Sequence, residues 1–338
     1  MAPLAQALAE ALGAGRCADD LRETGAHVSK LPNMQGVDGL RREIVGLHRD
    51  GELSPNAISF LASGAEKPTV LVKPGVFEGD LHGVCKHAPN AAAIWRSPLP
   101  LEALRSPQHA HLNISAGADD DARRPAMKLQ LNEGRGACFP WHHDNAGGAA
   151  GRGVRRRVTV IVYLTEADDG RGGGEIVLRR FGHAADVIVP PVAGTVVVFR
   201  SDTVLHRTLP SFHSPRTCFT IWFESDDAPN APLSCALPPA LAANLKARRT
   251  GGDVPYSETW ASFADQLSTS PANRIFARLV YRSDFEASLR ECFSATDSPD
   301  ADERVKLAIL YHEAHVRAAP PALAEVADAL AWVVRQRE

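Results

Sequence analysis

Hydrophobic positions recur along this chain with either helical or strand spacing, and these spacings divide it into three zones. Residues 1 to about 105 mix the two spacings. A four-residue leucine repeat predicts an amphipathic helix near 3–14, and apolar positions on one face predict another near 37–49. A short alternating run at 69–73 predicts a strand. We therefore expect this zone to combine helices and strands.

The second zone, from about 108 to 225, reads as short strands separated by glycine-rich and proline-rich turns. Roughly eight strands follow one another without a helix, which is typical of a β-sandwich or jelly roll. The glycine run at 171–174 is interpreted as a hairpin turn because no helix follows it. The strands are predicted near 127–132, 139–144, 157–164, 175–180, 185–189, 195–200, 203–207 and 217–223.

The third zone, from about 238 onward, has helical spacing. Ser283 and Asp284 would cap one helix, which runs through Cys292. A start signal at 298–302 and a proline break at 318–321 predict a final helical hairpin. Its two apolar stripes are Val305, Ile309, His312 and Val316, then Leu323, Val326, Leu330 and Val333.

Together the zones predict an α+β fold, in which a double-stranded β-helix (jelly-roll) core follows N-terminal helices and precedes a helical C-terminal extension. We divide the chain into a mixed support region at 1–107, the jelly roll at 108–228 and a helical region at 238–338.

Composition narrows the possible partners and compartments. The net charge of −3 over 338 residues gives no reason to propose nucleic acid. The longest apolar stretch, at 187–199, is interrupted by prolines and a glycine, so no membrane span is expected. The six cysteines are scattered and the N-terminus lacks a positively charged start, so we expect a cytoplasmic or nuclear protein without a disulfide framework.

Candidate metal chemistry lies in the segment Trp141-His142-His143-Asp144. Residues two apart on a strand share a face, so His142 and Asp144 should point together while His143 points away. Such a pair alone is more often a solvated strand face than a metal site. With His206 it would complete a 2-His-1-carboxylate triad, which leaves coordination positions open on Fe(II).

Arg216 follows His206 by ten residues, across a turn that contains Pro210 and Pro215. A two-strand hairpin of that length would place Arg216 beside His206, facing the same cavity. A guanidinium in that position offers a bidentate fork for a carboxylate. A chelating 2-oxo acid with a distal carboxylate could then bridge the metal and the arginine.

Five blocks of residues 125–225 resemble the Fe(II)- and 2-oxoglutarate-dependent dioxygenases of the prolyl 4-hydroxylase type, with the hypoxia-factor prolyl hydroxylases as the nearest likeness. The blocks occur in the family's order. They are NEGRGACFPWHHDN (132–145), RRVTVIVYLTE (156–166), GGGEIVLR (172–179), PVAGTVVVFRSDTVLHRTLP (191–210) and PRTCFTIWFES (215–225).

The resemblance implies a role for each matching residue. His142, Asp144 and His206 would be the iron ligands. Arg216 and Tyr163 would hold the distal carboxylate of 2-oxoglutarate, and Trp222 would lie near that pocket. Arg156 falls near a family arginine at the active-site rim. Asn132 stands where the family usually has a tyrosine, so the pocket should differ there.

The resemblance also implies the reaction. Fe(II), 2-oxoglutarate and O2 would be needed, with ascorbate as reductant, and an unactivated C–H bond would be hydroxylated with release of succinate and CO2. Because Asp144 retains the carboxylate that related halogenases replace, hydroxylation is the expected outcome. The implied substrate is a prolyl residue of a protein or peptide.

Other histidines and loops have less specific interpretations. His109 and His111 share HxH spacing without a partner carboxylate, and the spacing of His312 and His315 is one short of the zinc-protease pattern. The stretches at 115–124 and 145–156 are expected to form the rim of the pocket.

Two alternatives to the prolyl substrate remain open. One is hydroxylation of a small molecule or free amino acid. The other is a non-catalytic jelly-roll scaffold whose C-terminal helices bind a partner. Retention of the triad, Arg216 and Tyr163 favours an enzyme over the scaffold. The sequence leaves the oligomeric state open.

Overall fold

The computed structural model describes most of the chain, and everything below refers to those residues. They are 3–60, 69–116, 124–145, 155–166, 172–183, 185–212, 215–225, 241, 258–270, 272–294, 300–317, 319 and 321–337.

The elements before residue 113 are a mixture of helices and strands, those from 126 to 224 are strands, and those after 258 are helices. The helices are α1 (Pro3–Gly13), α2 (Gly15–Glu23), α3 (Val37–Arg49), α4 (Leu81–Val84), α5 (Pro89–Arg96), α6 (Leu99–Leu104), α7 (Glu258–Ser268), α8 (Asn273–Val280), α9 (Arg282–Ser294), α10 (Ala301–Arg317) and α11 (Pro321–Arg337), with a 3-10 turn at Pro107–Leu112. The strands are β1 (Ala26–Lys30), β2 (Ser54–Phe60), β3 (Thr69–Asp80), β4 (Ala126–Asn132), β5 (Ala137–His142), β6 (Arg156–Tyr163), β7 (Ile176–Arg180), β8 (Val187–Val189), β9 (Thr195–Arg200), β10 (Val204–Ser211) and β11 (Arg216–Glu224).

Two antiparallel sheets form the centre of the protein. The major sheet has the order β1-β9-β6-β11-β4-β3-β2, and the minor sheet has the order β5-β10-β7-β8. Their inner faces pack on each other: Tyr163 and Phe199 of the major sheet share one buried cluster with Leu178 and Val204 of the minor sheet. This is the jelly-roll core that the strand pattern predicts, and the α+β class is confirmed.

Helices cover both outer faces, so the molecule has four layers. Strand alternation explains the division, because residues next in sequence to inner-face residues point outward. Val162 and Phe219 of the major sheet pack with α1, α3 and α5. Trp141, Val177 and Leu205 of the minor sheet pack with α7, α8 and α11. The site therefore lies between two sheets that are each supported from behind.

The N-terminal zone contributes more strand than the pattern predicts. The helices at 3–14 and 37–49 are confirmed within a residue, but β1 and β2 are absent from the prediction and β3 extends beyond 73 to Asp80. Pro74 and Gly75 form a dipeptide that is typical of turns. Gly75 instead has a positive φ of 66° inside a continuous strand. All three strands join the major sheet.

Two predicted hairpins are wrong, for one physical reason. Strands β10 and β11 lie in different sheets, and so do β6 and β7. Arg216 is therefore not on a strand paired with the strand of His206; it lies opposite Asn132 of β4. Turn residues allow the chain to reverse, but they do not determine whether it returns to the same sheet or crosses to the facing one.

The predicted C-terminal hairpin is also wrong. Helices form at both stripes, but α10 packs on α9 whereas α11 packs on α7 and α8. Their buried residues belong to separate clusters, with Ala308 in one and Leu330 in the other. Ser283 and Asp284 lie inside the first turn of α9, which begins at Arg282, and the Asp284 carboxylate pairs with Arg179 instead of capping the helix.

No helix among the described residues is both long enough and apolar enough to cross a membrane.

Candidate active site

Three potential metal ligands converge on the inner face of the minor sheet. His142 ends β5, Asp144 follows in the next bend, and His206 of β10 lies directly opposite His142 in the strand register. The Asp144 Oδ1 atom is 3.6 Å from the Nε2 atom of each histidine. One ligand atom from each residue lies within 4.8 Å of the other two. Two imidazoles and one carboxylate are the donor set of a facial triad.

Hydrogen bonds to the backbone fix which nitrogen of each imidazole faces the centre. The Nδ1 atom of His142 lies 2.8 Å from the carbonyl oxygen of Pro140, and that of His206 lies 3.3 Å from the carbonyl oxygen of Val204. A carbonyl can only accept, so each Nδ1 carries a proton and each Nε2 is the nitrogen that faces the centre. In metal sites, a hydrogen bond from the ring nitrogen that does not bind the metal orients the histidine ligand in the same way.

The two oxygens of Asp144 have different partners. The Thr159 hydroxyl donates to Oδ2 at 2.8 Å, and the Trp222 indole N–H donates to the same oxygen at 2.9 Å. Because Thr159 donates to Asp144, the Ser201 hydroxyl, 2.8 Å from Oγ1, must be the donor to Thr159. Oδ1 is thereby left as the oxygen that faces the histidines.

Burial and neighbouring charges hold His142 and Asp144 in the protonation states of metal ligands. Burial, with the nearby His206, lowers the pKa of His142 to about 3, so its imidazole is neutral at pH 7. Burial by itself would raise the pKa of Asp144. The neighbouring His206, His142 and Trp222 outweigh it and bring that pKa well below its usual range. A neutral imidazole beside an ionised carboxylate is what a divalent metal requires.

A buried arginine marks a second part of the cavity. The Arg216 side chain is 2% exposed on the inner face of β11. Its guanidinium donates to the Tyr163 hydroxyl at 3.1 Å and to the Gln130 side-chain oxygen at 3.1 Å. Burial opposes its charge, but Tyr163 and Cys218 raise the pKa of Arg216, so the guanidinium is charged. No carboxylate among the described residues pairs with it.

Asn132 and Arg216 both present buried polar atoms without a partner. Asn132 is fully buried opposite Arg216 in the β4–β11 register, and neither its amide nitrogen nor its amide oxygen is hydrogen-bonded; the same holds for the Arg216 Nε atom. Unsatisfied buried groups cost about 1–3 kcal/mol each. A bound dicarboxylate would satisfy the arginine, and the triad fits Fe(II), so the residues present fit both groups.

Trp222 and Arg156 lie together beside Asp144. The Arg156 guanidinium stacks over the Trp222 indole at 4.1 Å and donates to the Asp144 carbonyl oxygen at 3.3 Å.

Sequence reasoning missed Thr159 and Gln130. Both stand at inward positions of strands that already carry site residues, two residues from Ile161 and Asn132 respectively, so strand alternation could have indicated them.

The remaining histidines are not brought into the triad. His143 is not one of the converging ligands, and burial lowers its pKa, with His206 and the cations of Arg274 and Arg278 contributing. His109 and His111 lie on the 3-10 turn outside the sheets, and His312 and His315 lie on α10. Most of the expected rim, at 117–123 and 146–154, lies outside the described residues.

Residues 127–224 match the sequence model of the 2OG-Fe(II) oxygenase superfamily. This chain carries a 2-oxoglutarate-dependent dioxygenase domain. A search of curated proteins by sequence found no match. Among solved structures, a prolyl 4-hydroxylase from Phytophthora capsici is similar over 98% of this chain and 95% of its own, with 26% identity and a TM-score of 0.71. The fold of this dioxygenase is therefore similar to that of a prolyl 4-hydroxylase over nearly the full length of both chains.

Two further prolyl hydroxylases superpose on parts of this dioxygenase. That of Pseudomonas putida covers 62% of this chain and 97% of its own, with 23% identity and a TM-score of 0.42. That of Trichoplax adhaerens, in complex with a hypoxia-inducible-factor peptide fragment, covers 65% and 92%, with 17% identity and a TM-score of 0.47.

Proposed function

We propose that this dioxygenase hydroxylates prolyl residues of a protein or peptide, with Fe(II) held by His142, Asp144 and His206. The observation that carries the metal assignment is the convergence of two Nε2 atoms and one carboxylate oxygen within 4.8 Å. The full-length likeness to the Phytophthora capsici prolyl 4-hydroxylase supports the prolyl substrate.

We propose that Arg216 and Tyr163 bind the distal carboxylate of 2-oxoglutarate. A buried guanidinium without a carboxylate partner among the described residues needs an anion, and the Tyr163 hydroxyl can donate a second hydrogen bond beside it. Asn132, with both amide atoms unpartnered, faces the same space and would contact either the cosubstrate or the substrate. The replacement of a larger family tyrosine by Asn132 leaves more room there.

The metal and cosubstrate supply the oxidising power toward an unactivated C–H bond, with O2 consumed and succinate and CO2 released. The chain's own residues bind, orient and exclude water. Asp144 is held with one oxygen toward both histidines, so three protein ligands would hold Fe(II) and leave coordination positions for the cosubstrate and O2. Phe199, in contact with the His206 ring at 4.5 Å, contributes to an apolar wall beside the ligands. Ascorbate is expected to stimulate turnover as reductant.

Mass spectrometry of peptide arrays tests the substrate class. Proline-containing peptides are incubated with the full chain, Fe(II), 2-oxoglutarate and O2, with and without ascorbate, while succinate is measured. We expect some peptides to gain about 16 Da, one oxygen atom, and their proline-to-alanine counterparts to gain none. The Asp144→Ala variant is the control for catalysis and should modify no peptide.

Two results would favour the alternatives. Turnover of a free amino acid or metabolite with no peptide modified would favour a small-molecule hydroxylase. Absence of both succinate formation and Fe(II) binding would favour the non-catalytic scaffold.

A further inference from the structure

The helices behind the minor sheet contact the backbone within three residues of each of the three candidate metal ligands. We infer that α8 and α9 position these ligands, with Arg274 as the principal positioning residue. This inference rests on the proposed iron site. It assigns to the C-terminal helical region a role in metal binding that neither the family match, which ends at residue 224, nor the sequence pattern indicates.

Arg274 of α8 holds the residue that follows Asp144. Its Nη1 atom donates to the Asn145 carbonyl oxygen at 2.8 Å and to the Asn145 side-chain oxygen at 2.7 Å. Asn145 is 5% exposed, and its other groups are also bound: its N–H donates to the Ser201 carbonyl and its amide nitrogen to the Arg156 carbonyl. The bend that carries Asp144 is thus fixed on its outer side by a cation from α8.

Asn273, the first residue of α8, holds the segment that leads into His206. Its amide nitrogen donates to the Thr203 carbonyl oxygen at 2.8 Å, and Asn273 is fully buried. Thr203 lies one residue before β10, three residues before His206. Adjacent residues of one helix therefore contact the two chain segments that deliver Asp144 and His206.

Ser288 of α9 contacts the third segment. The backbone N–H of Trp141, next to His142, donates to the Ser288 hydroxyl at 3.2 Å, and that hydroxyl donates to the Phe285 carbonyl at 2.9 Å. Strand β5 is an edge strand of the minor sheet, so the Trp141 N–H has no strand partner on that side. Ser288 replaces the missing partner.

These contacts matter because a metal site tolerates little displacement of its ligands. Ligand geometry must be held to within about 0.5 Å, and loss of an outer partner typically costs about 10–100-fold in metal affinity. Asp144 lies in a bend that follows β5, where no strand pairing restrains it. The Arg274 contact to Asn145 is therefore the restraint whose loss should be felt most.

Co(II) binding by the full chain tests this role without relying on turnover. Co(II) is titrated into the apo-protein, and its visible absorption reports both affinity and ligand geometry. For Arg274→Met we expect a dissociation constant roughly 10-fold higher than that of the unmutated protein and a shifted visible band. Arg274→Lys, which keeps a charged donor, should recover part of the loss. Arg290→Met, at an exposed position on α9, should match the unmutated protein.

One result would overturn the inference. It is an Arg274→Met protein that keeps the far-ultraviolet circular dichroism and the visible Co(II) band of the unmutated protein. Its dissociation constant for Co(II) would also lie within about twofold of the unmutated value, a difference under 0.5 kcal/mol. If Arg274→Met does not fold, Ser288→Ala decides: its dissociation constant for Co(II) should rise at least threefold, which is about 0.65 kcal/mol or more, and an unchanged constant is the contrary result. If the unmutated protein binds no Co(II), the proposed iron site fails, which is a distinguishable outcome.

Discussion

At the scale of single residues, the two oxygens of Asp144 show how neighbours select one binding mode. Oδ2 accepts from Thr159 and Trp222, whereas Oδ1 faces both histidines. A carboxylate held this way presents one oxygen to a metal and cannot rotate without breaking two hydrogen bonds. The role of each site residue therefore depends on partners from other strands, which no local motif shows.

We predict that Thr159→Val and Trp222→Phe each weaken metal binding. Each removes one donor to Oδ2 while conserving most of the side-chain shape, and the dissociation constant for Co(II) should rise roughly 10-fold. Titration followed by visible absorption measures it. Trp95→Phe is the control, because it removes an indole hydrogen bond of 2.9 Å to Pro125 on the opposite side of the major sheet. Unchanged affinity in both site variants would show that Oδ2 needs no anchor.

A second residue-scale prediction separates the adjacent histidines. His142→Ala should lose iron, because it removes one of three ligands, whereas His143→Ala should retain it, because His143 lies outside the converging cluster. Elemental analysis of the purified proteins gives the answer. Iron lost from the His143 variant and kept in the His142 variant would reverse the assignment.

At the scale of elements, β4 to β7 alternate between the major and minor sheets, and so do β9 to β11. Strand alternation predicted correctly that His142 and Asp144 point together, and the periodicity located α3 to the residue. It could not predict that turns cross between sheets, because sheet membership depends on contacts distant in sequence. Arg216 shares the cavity with His206 through facing sheets and not through a hairpin.

One crossing depends on a glycine. Gly173 has a φ of +69°, and a Cβ atom there would collide with the Pro210 carbonyl oxygen. We predict that Gly173→Ala lowers the free energy of unfolding by at least about 1 kcal/mol, since a left-handed residue with a Cβ alone costs about that much. Urea unfolding measures it. The control is Gly46→Ala, in a helix with open space, which should stabilise by about 0.5–1 kcal/mol. Equal stability of the Gly173 variant would contradict the packing.

The contact between α9 and α10 should respond to pH. His312 is fully buried and stacks on Phe285 at 5.5 Å; burial, with the nearby Arg278, lowers its pKa to about 4. The unfolded chain has the higher pKa of about 6.5 and binds the proton first. This histidine therefore costs stability as pH falls from about 6.5 to about 4.

The His312→Leu variant isolates that contribution. Between pH 7.5 and pH 4.5, the free energy of unfolding should fall in both proteins, but the fall should be about 1–3 kcal/mol smaller in the variant. A His312 pKa that is lowered from about 6.5 to about 4 accounts for a difference of this size. Urea unfolding at the two pH values is the measurement. Identical losses in the two proteins would mean that His312 is not neutral in the folded state.

At the scale of the whole molecule, the site lies between sheets supported by separate helical layers. The division at 107/108 stays a prediction, and the major sheet crosses it, because β1, β2 and β3 join strands from beyond residue 125. The sequence predicted the class, the jelly roll and the dioxygenase family from residues in five blocks. It could not predict how α8 and α9 contact the ligand segments, since those contacts join residues seventy or more positions apart.

Anaerobic titration of 2-oxoglutarate into the Fe(II)-loaded protein tests the central claim most directly, because the charge-transfer band forms only when the 2-oxo acid chelates the iron. We predict a saturable band for the unmutated protein. For Arg216→Leu we predict the same band with a dissociation constant higher by roughly two to three and a half decades, the equivalent of about 3–5 kcal/mol for a buried carboxylate left without its partner. No band in the unmutated protein, or a change below about threefold in the variant, would contradict the account.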